Sequence, residues 1–162
     1  MKEIKTILVA LDISQSDYSL IKLSLALSRH FKATTLEFIH VVPRFLFAED
    51  VDETSRNIAS PGFGMDDILA KEIGEKVKQE LKEQNPQNYQ IVVKQGLPAE
   101  TILSHADSLR PDLLIVGNKK MSDGSSVVSR LLASQIRCSV LFVPDLANGL
   151  PINILVPIDL NG

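Results

Sequence analysis

Five short apolar runs alternate with stretches of helical periodicity, and this alternation constrains the fold more than any other feature of the sequence. The first run, Ile4–Leu11, ends in the unbroken apolar stretch ILVAL, which is typical of a strand buried on both faces of a sheet. The other predicted strands are Thr34–Val42, Tyr89–Gly96, Asp112–Gly117 and Ser139–Pro144. The predicted helices are one that is capped by Ser14 or Ser16 and ends near Phe31, then Asp66–Gln84, Pro98–Arg110 and Ser126–Ile136. The pattern predicts a Rossmann-like α/β fold, a five-stranded parallel sheet with helices on both faces.

A sheet of this kind binds ligands beyond the carboxyl ends of its strands, where the strand order reverses. The segments that follow the predicted strands are therefore the candidate binding region, and they are 10–14, 40–43, Gly96 and 117–126. The sequence has no G-x-G-x-x-G fingerprint after the first strand, no Walker A loop, no nucleophile elbow and no cysteine or histidine pairs at metal-ligand spacing. We therefore predict neither catalytic nor metal-ligating residues, and a non-enzymatic role.

Charge and composition narrow the classes of partner. The formal net charge is −3 and there is no long basic run, so nothing indicates a nucleic-acid partner. No stretch approaches the roughly 20 apolar residues that a membrane span needs. Cys138 is the single cysteine, which excludes an internal disulfide, fits a reducing compartment and favours a cytoplasmic location.

Several histidines, lysines and the cysteine are assigned structural roles. His40 is predicted to pack at a strand end, His30 and His105 to lie on helix surfaces, and Cys138 to be buried. Four lysines alternate with glutamates in the second predicted helix and are predicted to form a solvated helix face: Lys71, Lys76, Lys78 and Lys82.

A stretch without periodicity separates the second strand from the next helix. Residues 43–65 contain two prolines, two glycines and three phenylalanines. A loop of this length is often functional, so we expect it to be poorly ordered or to fold over the cleft as a lid or a partner contact.

The end of the chain repeats its beginning. Ile154-Leu155-Val156 followed by Asp159 has the spacing of Ile7-Leu8-Val9 followed by Asp12. The alternative is chance similarity between two β-branched runs. We predict one domain over 1–145, a linker over 146–151, and in 152–162 the first strand of a truncated second copy of the domain.

Taken in order, the segments ILVALDIS, HVVP, QGLPAETIL, DLLIVG and CSVLFVP resemble the universal stress protein family over residues 3–144. The resemblance implies the adenine nucleotide alpha hydrolase-like fold and a stress-response role, and the terminal repeat looks like the tandem layout known in the family. Because the family pairs its fifth strand across an interface, it also implies a homodimer, or pairing with a second domain, through residues 139–143.

The nucleotide-binding branch of that family has a glycine motif after the fourth strand: Gly-x2-Gly, then a short loop and Gly-Ser or Gly-Thr. Glycines let backbone N–H groups approach phosphate, and the hydroxyl caps the helix while it binds phosphate. In the family an aspartate after the first strand contacts the nucleoside, and a residue like Val41 contacts the base through its backbone. The positions that correspond to this site are Ala10, Asp12, Val41, Gly117, Lys120, Ser126 and Val127. Asp12 is equally explained as a turn or helix-capping residue.

The glycine motif is broken in this chain. Lys120 replaces the second glycine, Val127 lacks the hydroxyl, and the loop is shorter than in the family. Against this, Lys119 and Lys120 carry charges that neutralise phosphate, and the serines at 125 and 126 can still cap the helix. Two functions stay open: a stress-response module that acts through dimerisation or domain pairing with a degraded ATP loop, and a sensor of ATP or AMP with a variant phosphate loop. A slow nucleotide hydrolase is disfavoured because no general base is placed near a phosphate site.

Overall fold

The computed structural model describes residues 3–14, 17–43, 65–80, 89–118 and 125–144. They form a five-stranded, all-parallel sheet in the order β3-β2-β1-β4-β5, which confirms the predicted fold. In chain order the elements are β1 Thr6–Leu11, α1 Asp17–Phe31, β2 Thr35–Pro43, α2 Met65–Glu80, β3 Tyr89–Gly96, α3 Pro98–Leu109, β4 Leu113–Asn118, α4 Ser125–Gln135 and β5 Ser139–Pro144.

Helices cover both faces of the sheet, as the continuous apolar character of β1 predicts. Alternate residues of β1 point to opposite faces, so Ile7, Val9 and Leu11 pack on one side while Leu8 packs on the other. The first side is closed by α1 and α2, and the second by α3 and α4. The residues of these helices that are buried against the sheet include Leu20, Ile21, Leu25, Ile73 and Val77 on the first side, and Ile102, Ala106 and Leu132 on the second.

The strand order reverses between β1 and β4. From β1 the chain adds β2 and β3 on one side, then crosses to add β4 and β5 on the other. Ala10 of β1 lies opposite Val116 of β4, so Leu11, the last residue of β1, lies at the level of Gly117, the penultimate residue of β4. A crevice at the carboxyl ends of β1 and β4 is therefore the expected ligand position.

The strand β5 forms one edge of the sheet, as predicted, and pairs only with β4 among the described strands. Its apolar residues do not share one environment. Val143 is buried and Leu141 packs against the α1 side, whereas Phe142 remains 39% exposed. The unpaired edge of β5 is thus flanked by an exposed aromatic ring.

Gly96 marks the close approach of β3 to α3. The backbone there has φ of 154°, and a Cβ at this position would clash with the Thr101 hydroxyl. Only glycine fits this turn without displacing Thr101, which explains the glycine in the predicted strand end.

One predicted surface residue lies inside the fold. The Nε2 atom of His105 on α3 hydrogen-bonds Oε1 of Glu37 on β2, and their side chains are 14% and 5% exposed. The prediction that His105 is a surface residue is wrong because Ile102 and Ala106, which flank it on the same helical face, both face the sheet. His30 is exposed, as predicted.

Several predictions concern parts of the chain outside the described residues. These are the long loop from position 44 onward, Lys82, Lys119, Lys120, the linker 146–151 and the repeat strand in 152–162. The predicted division into domains therefore stays a prediction.

Candidate functional site

Three of the predicted site residues lie at or near the carboxyl ends of β1 and β4. Asp12 directly follows β1 and its side chain is exposed. Ala10 lies within β1 beside β4, and Gly117 lies near the end of β4. The register of the two strands brings an exposed carboxylate and a glycine backbone to the same end of the sheet.

Gly117 is fixed by its neighbours on both sides. Its carbonyl oxygen accepts a hydrogen bond from the Ser129 hydroxyl over 3.1 Å, which ties α4 to the end of β4. A Cβ at this position would lie 3.5 Å from Cδ1 of Leu20, an ordinary contact. Packing therefore does not require glycine here. The sequence did not indicate Ser129, because a serine within a helix carries no sign of its distant partner.

The other predicted site residues are not part of this group. The Val41 side chain is buried in the cluster on the α3 side, so the backbone contact expected of this residue stays a prediction. Val127 is exposed on α4, and Ser126 belongs to the first turn of the same helix. Because Lys120 lies outside the described residues, the broken phosphate loop stays a prediction.

The turn that carries Asp12 is anchored by a buried carboxylate. Asp17, the first residue of α1, is fully buried, and its Oδ1 accepts the backbone N–H of Asp12 over 3.4 Å. The Asp17 N–H in turn donates to the Ser14 carbonyl over 3.2 Å. Ile13, which lies between Asp12 and Ser14 in the chain, has a left-handed φ of 59°, a conformation that is unfavourable for a β-branched residue. The Ser14 hydroxyl, predicted as a helix cap, has no hydrogen-bond partner among the described residues.

The surroundings of Asp17 oppose its ionisation. Burial raises the pKa of its carboxyl from 3.8 to about 6, and the negative charge of Asp12 acts in the same direction. Lys76 and the backbone N–H groups of Asp12 and Ile13 act to lower that pKa. The Oδ2 atom lies 3.7 Å from Nζ of Lys76 and has no hydrogen-bond partner among the described residues.

Lys76 reaches this carboxylate from α2. Its side chain is only 13% exposed, its Nζ also lies 3.3 Å from Oε1 of Glu72, and it stands 5.9 Å from the centre of the Tyr18 ring. The prediction that Lys76 is solvated is wrong, because it adjoins the buried residues Ile73 and Val77 on the inner side of the helix. Two other lysines of the predicted solvated face, Lys71 and Lys78, are exposed.

His40 and Cys138 are both predicted to have structural roles. Nδ1 of His40 lies 2.9 Å from the Leu11 carbonyl oxygen, which fits the predicted packing role at a strand end. Cys138 is half-buried, less than predicted.

Within the described ranges, no three histidine, cysteine, aspartate or glutamate side chains are grouped to hold a metal ion. No helix in those ranges has the length and apolar character to cross a membrane.

Comparison with known proteins gives a family match and a set of similar structures. The model of the universal stress protein family matches residues 3–144. No curated protein matches the chain.

The similar solved structures share the fold at low identity. The universal stress protein UspA from Lactobacillus plantarum is 17% identical, with a TM-score of 0.69 over 88% of this chain and 99% of that one. A universal stress protein in complex with cAMP is 19% identical, with a TM-score of 0.59 over 89% and 99%. A universal stress family protein from Arabidopsis thaliana with AMP bound is 16% identical, with a TM-score of 0.54 over 92% and 97%.

Proposed function

Because the chain belongs to the universal stress protein family, we propose that it is a non-enzymatic, cytoplasmic stress-response module that binds an adenosine nucleotide between the ends of β1 and β4. The observation that carries this proposal is the exposed Asp12 carboxylate at the point where the strand order reverses, on a turn held by a buried anchor. Two of the similar structures are described as complexes with cAMP and AMP, which supports the same ligand class.

The nucleoside end supplies most of the binding in this proposal. A carboxylate accepts hydrogen bonds from ribose hydroxyls, and Ala10 and Val41, which pair with neighbouring strands, border the proposed nucleoside site. The phosphate end is weaker, because Lys120 and Val127 replace a glycine and a hydroxyl of the family motif. A longer phosphate chain therefore adds little affinity.

Calorimetric titration with AMP and ATP tests whether the nucleoside end supplies most of the binding affinity. We expect ATP to bind with a Kd weaker than about 100 µM, which corresponds to about −5.5 kcal/mol, and AMP to match it within about threefold. Replacing Asp12 by asparagine removes the anionic acceptor and should weaken AMP binding about tenfold.

The matched control is Asp107→Asn, the same chemical change at an exposed aspartate near the end of α3. This variant should bind AMP like the wild type. Low-micromolar ATP binding, much tighter than AMP, would show that the phosphate loop is competent. An absence of AMP binding to the wild type would refute the nucleotide proposal.

A second candidate function, pairing with another copy of the domain, is favoured by the exposed surface around β5. Phe142 lies on the face of β5 toward α4, since Val140, two residues earlier, packs against that side. On α4 itself, Val127 and Leu131 are also exposed. An open strand edge beside apolar side chains favours association, and we propose that β5 pairs with a second copy or a second domain.

Replacing Phe142 by lysine is expected to convert a dimer of this chain to monomer. The charge would be placed where an apolar ring is covered in the paired state, and lysine on an edge strand opposes pairing. Light scattering at high protein concentration measures the outcome. The control is Leu97→Lys, at a more exposed apolar residue at the start of α3, which should leave the dimer intact. A wild type that stays monomeric at all concentrations contradicts the pairing proposal.

A further inference from the structure

Asp17 occupies a position from which it can control the nucleotide site. We infer that the ionised Asp17 carboxylate is a positioning group for Asp12, and that protonation of Asp17 releases the Asp12 turn and weakens nucleotide binding. The ligand in this inference rests on the proposed function, whereas the coupling between Asp17 and the turn rests on the geometry of the free chain.

The geometry supplies the mechanical link. Oδ1 of Asp17 accepts the Asp12 N–H, so the backbone that presents the exposed Asp12 side chain is bonded to a fully buried group. The intervening Ile13 has a left-handed backbone, and such strain persists only where the surroundings impose it. A hydrogen bond to a carboxylate is roughly twice as strong as one to a neutral acceptor. Protonation of Asp17 therefore weakens the bond that opposes the strain.

The charge of Asp17 is set by groups from each element packed around it. Asp12 disfavours the ionised form, and Lys76 favours it from α2. The Lys76 ammonium group also forms an ion pair with Glu72. Among the described residues, the charged and titratable side chains near this region are Asp12 after β1, Tyr18 on α1, Lys76 and Glu72 on α2, and His40 on β2. Burial and the charge of Asp12 outweigh Lys76 and the backbone N–H groups, so the pKa of Asp17 is about 6 and the group changes charge just below neutral pH.

Binding and ionisation are coupled reciprocally in this arrangement. If ionised Asp17 is needed for the competent turn, the nucleotide must favour ionisation of Asp17 in return. AMP binding near pH 6 should then release protons. Calorimetry in buffers of different ionisation enthalpy measures that release, and the release should be absent in Asp17→Asn.

The first test follows the Asp12 backbone amide in the free protein by NMR between pH 5 and 8. We expect its shift to follow a titration curve centred near pH 6, absent in Asp17→Asn. Lys76→Met should move the midpoint to higher pH, while the matched control Lys78→Met, on the exposed side of α2, leaves it in place. His40→Gln should retain the curve, which separates Asp17 from the neighbouring imidazole. A curve that persists in Asp17→Asn overturns the inference.

The second test compares AMP affinity at pH 5 and pH 8. With about one tenth of Asp17 ionised at pH 5, the wild type should bind about tenfold more weakly than at pH 8. Asp17→Asn should bind weakly at both pH values with a much smaller change. Wild-type affinity that does not change with pH overturns the inference and leaves the proposed function standing. An absence of AMP binding at every pH overturns the proposed function, and the affinity role of Asp17 with it.

Discussion

Replacing His105 by alanine is expected to lower the free energy of unfolding by about 3 kcal/mol, because it leaves the Glu37 carboxylate buried without its partner. Glu37 lies near the start of β2, between the buried residues Leu36 and Phe38, and its own side chain is only 5% exposed, so its lost hydrogen bond is costly. Urea denaturation at neutral pH measures the change.

Two variants separate the loss of the partner from the loss of packing. His105→Gln keeps a hydrogen-bond donor near Glu37 and should cost less than His105→Ala. Replacing both Glu37 and His105 by leucine removes the buried polar pair altogether and should recover most of the lost stability. If His105→Ala changes the unfolding free energy by less than about 0.5 kcal/mol, the value of an ordinary surface substitution, the pair does not support the fold.

Replacing Asp17 by asparagine is expected to stabilise the protein at pH 8. The pKa of Asp17 is 3.8 in its ordinary state and about 6 in the fold, so between these values the folded state binds more protons than the unfolded state. The contribution of Asp17 to stability is therefore fully present below pH 3.8 and is lost as the pH rises through 6. The difference corresponds to about 3 kcal/mol. We expect a gain of about 2 kcal/mol, less than this difference, because the asparagine N–H₂ group would take the place of Oδ2, which has no hydrogen-bond partner among the described residues.

Urea denaturation of both proteins at pH 4 and pH 8 measures this effect. The wild type should lose stability relative to Asp17→Asn as the pH rises, and Asp107→Asn, at an exposed position, should follow the wild type. A variant that is less stable than the wild type at pH 8 contradicts the prediction. We thus expect Asp17→Asn to increase the stability of the protein and to weaken AMP binding. Such a trade-off between stability and function is common where a destabilising group is needed at a binding site.

The fold is largely predictable from the sequence because the central strands β1 and β4 are buried. The run at Ile7–Leu11 has no polar residue, and β4 begins with the apolar run Leu113–Val116. Helices must then cover both faces, and their order along the chain requires parallel strands. The sequence could not reveal the partner of His105, because Glu37 lies 68 residues away and contacts it only after β2 and α3 have packed. A glutamate within an otherwise apolar strand was the available signal.

The site is predictable where it depends on strand ends and unpredictable where it depends on tertiary burial. Asp12 directly follows β1 and Gly117 is the penultimate residue of β4, so parallel topology brings both to the same end of the sheet. The roles of Asp17 and Lys76 arise because α2 covers the start of α1, and nothing local to either residue indicates that contact. A polar residue close in sequence to buried positions of a helix, such as Lys76 between Ile73 and Val77, is a candidate for a buried ion pair of this kind.

Mapping AMP by amide chemical-shift changes on the isotope-labelled protein tests the proposed site most directly. We predict that the largest shifts occur at residues 10–13 and at Val116 and Gly117, where the ends of β1 and β4 meet. The groove at the opposite end of the sheet, which is lined by Arg110, Arg137 and Cys138, serves as the internal reference and should not respond. Shifts that cluster at this groove, or that spare residues 10–13, would contradict a nucleotide site at the carboxyl ends of the strands.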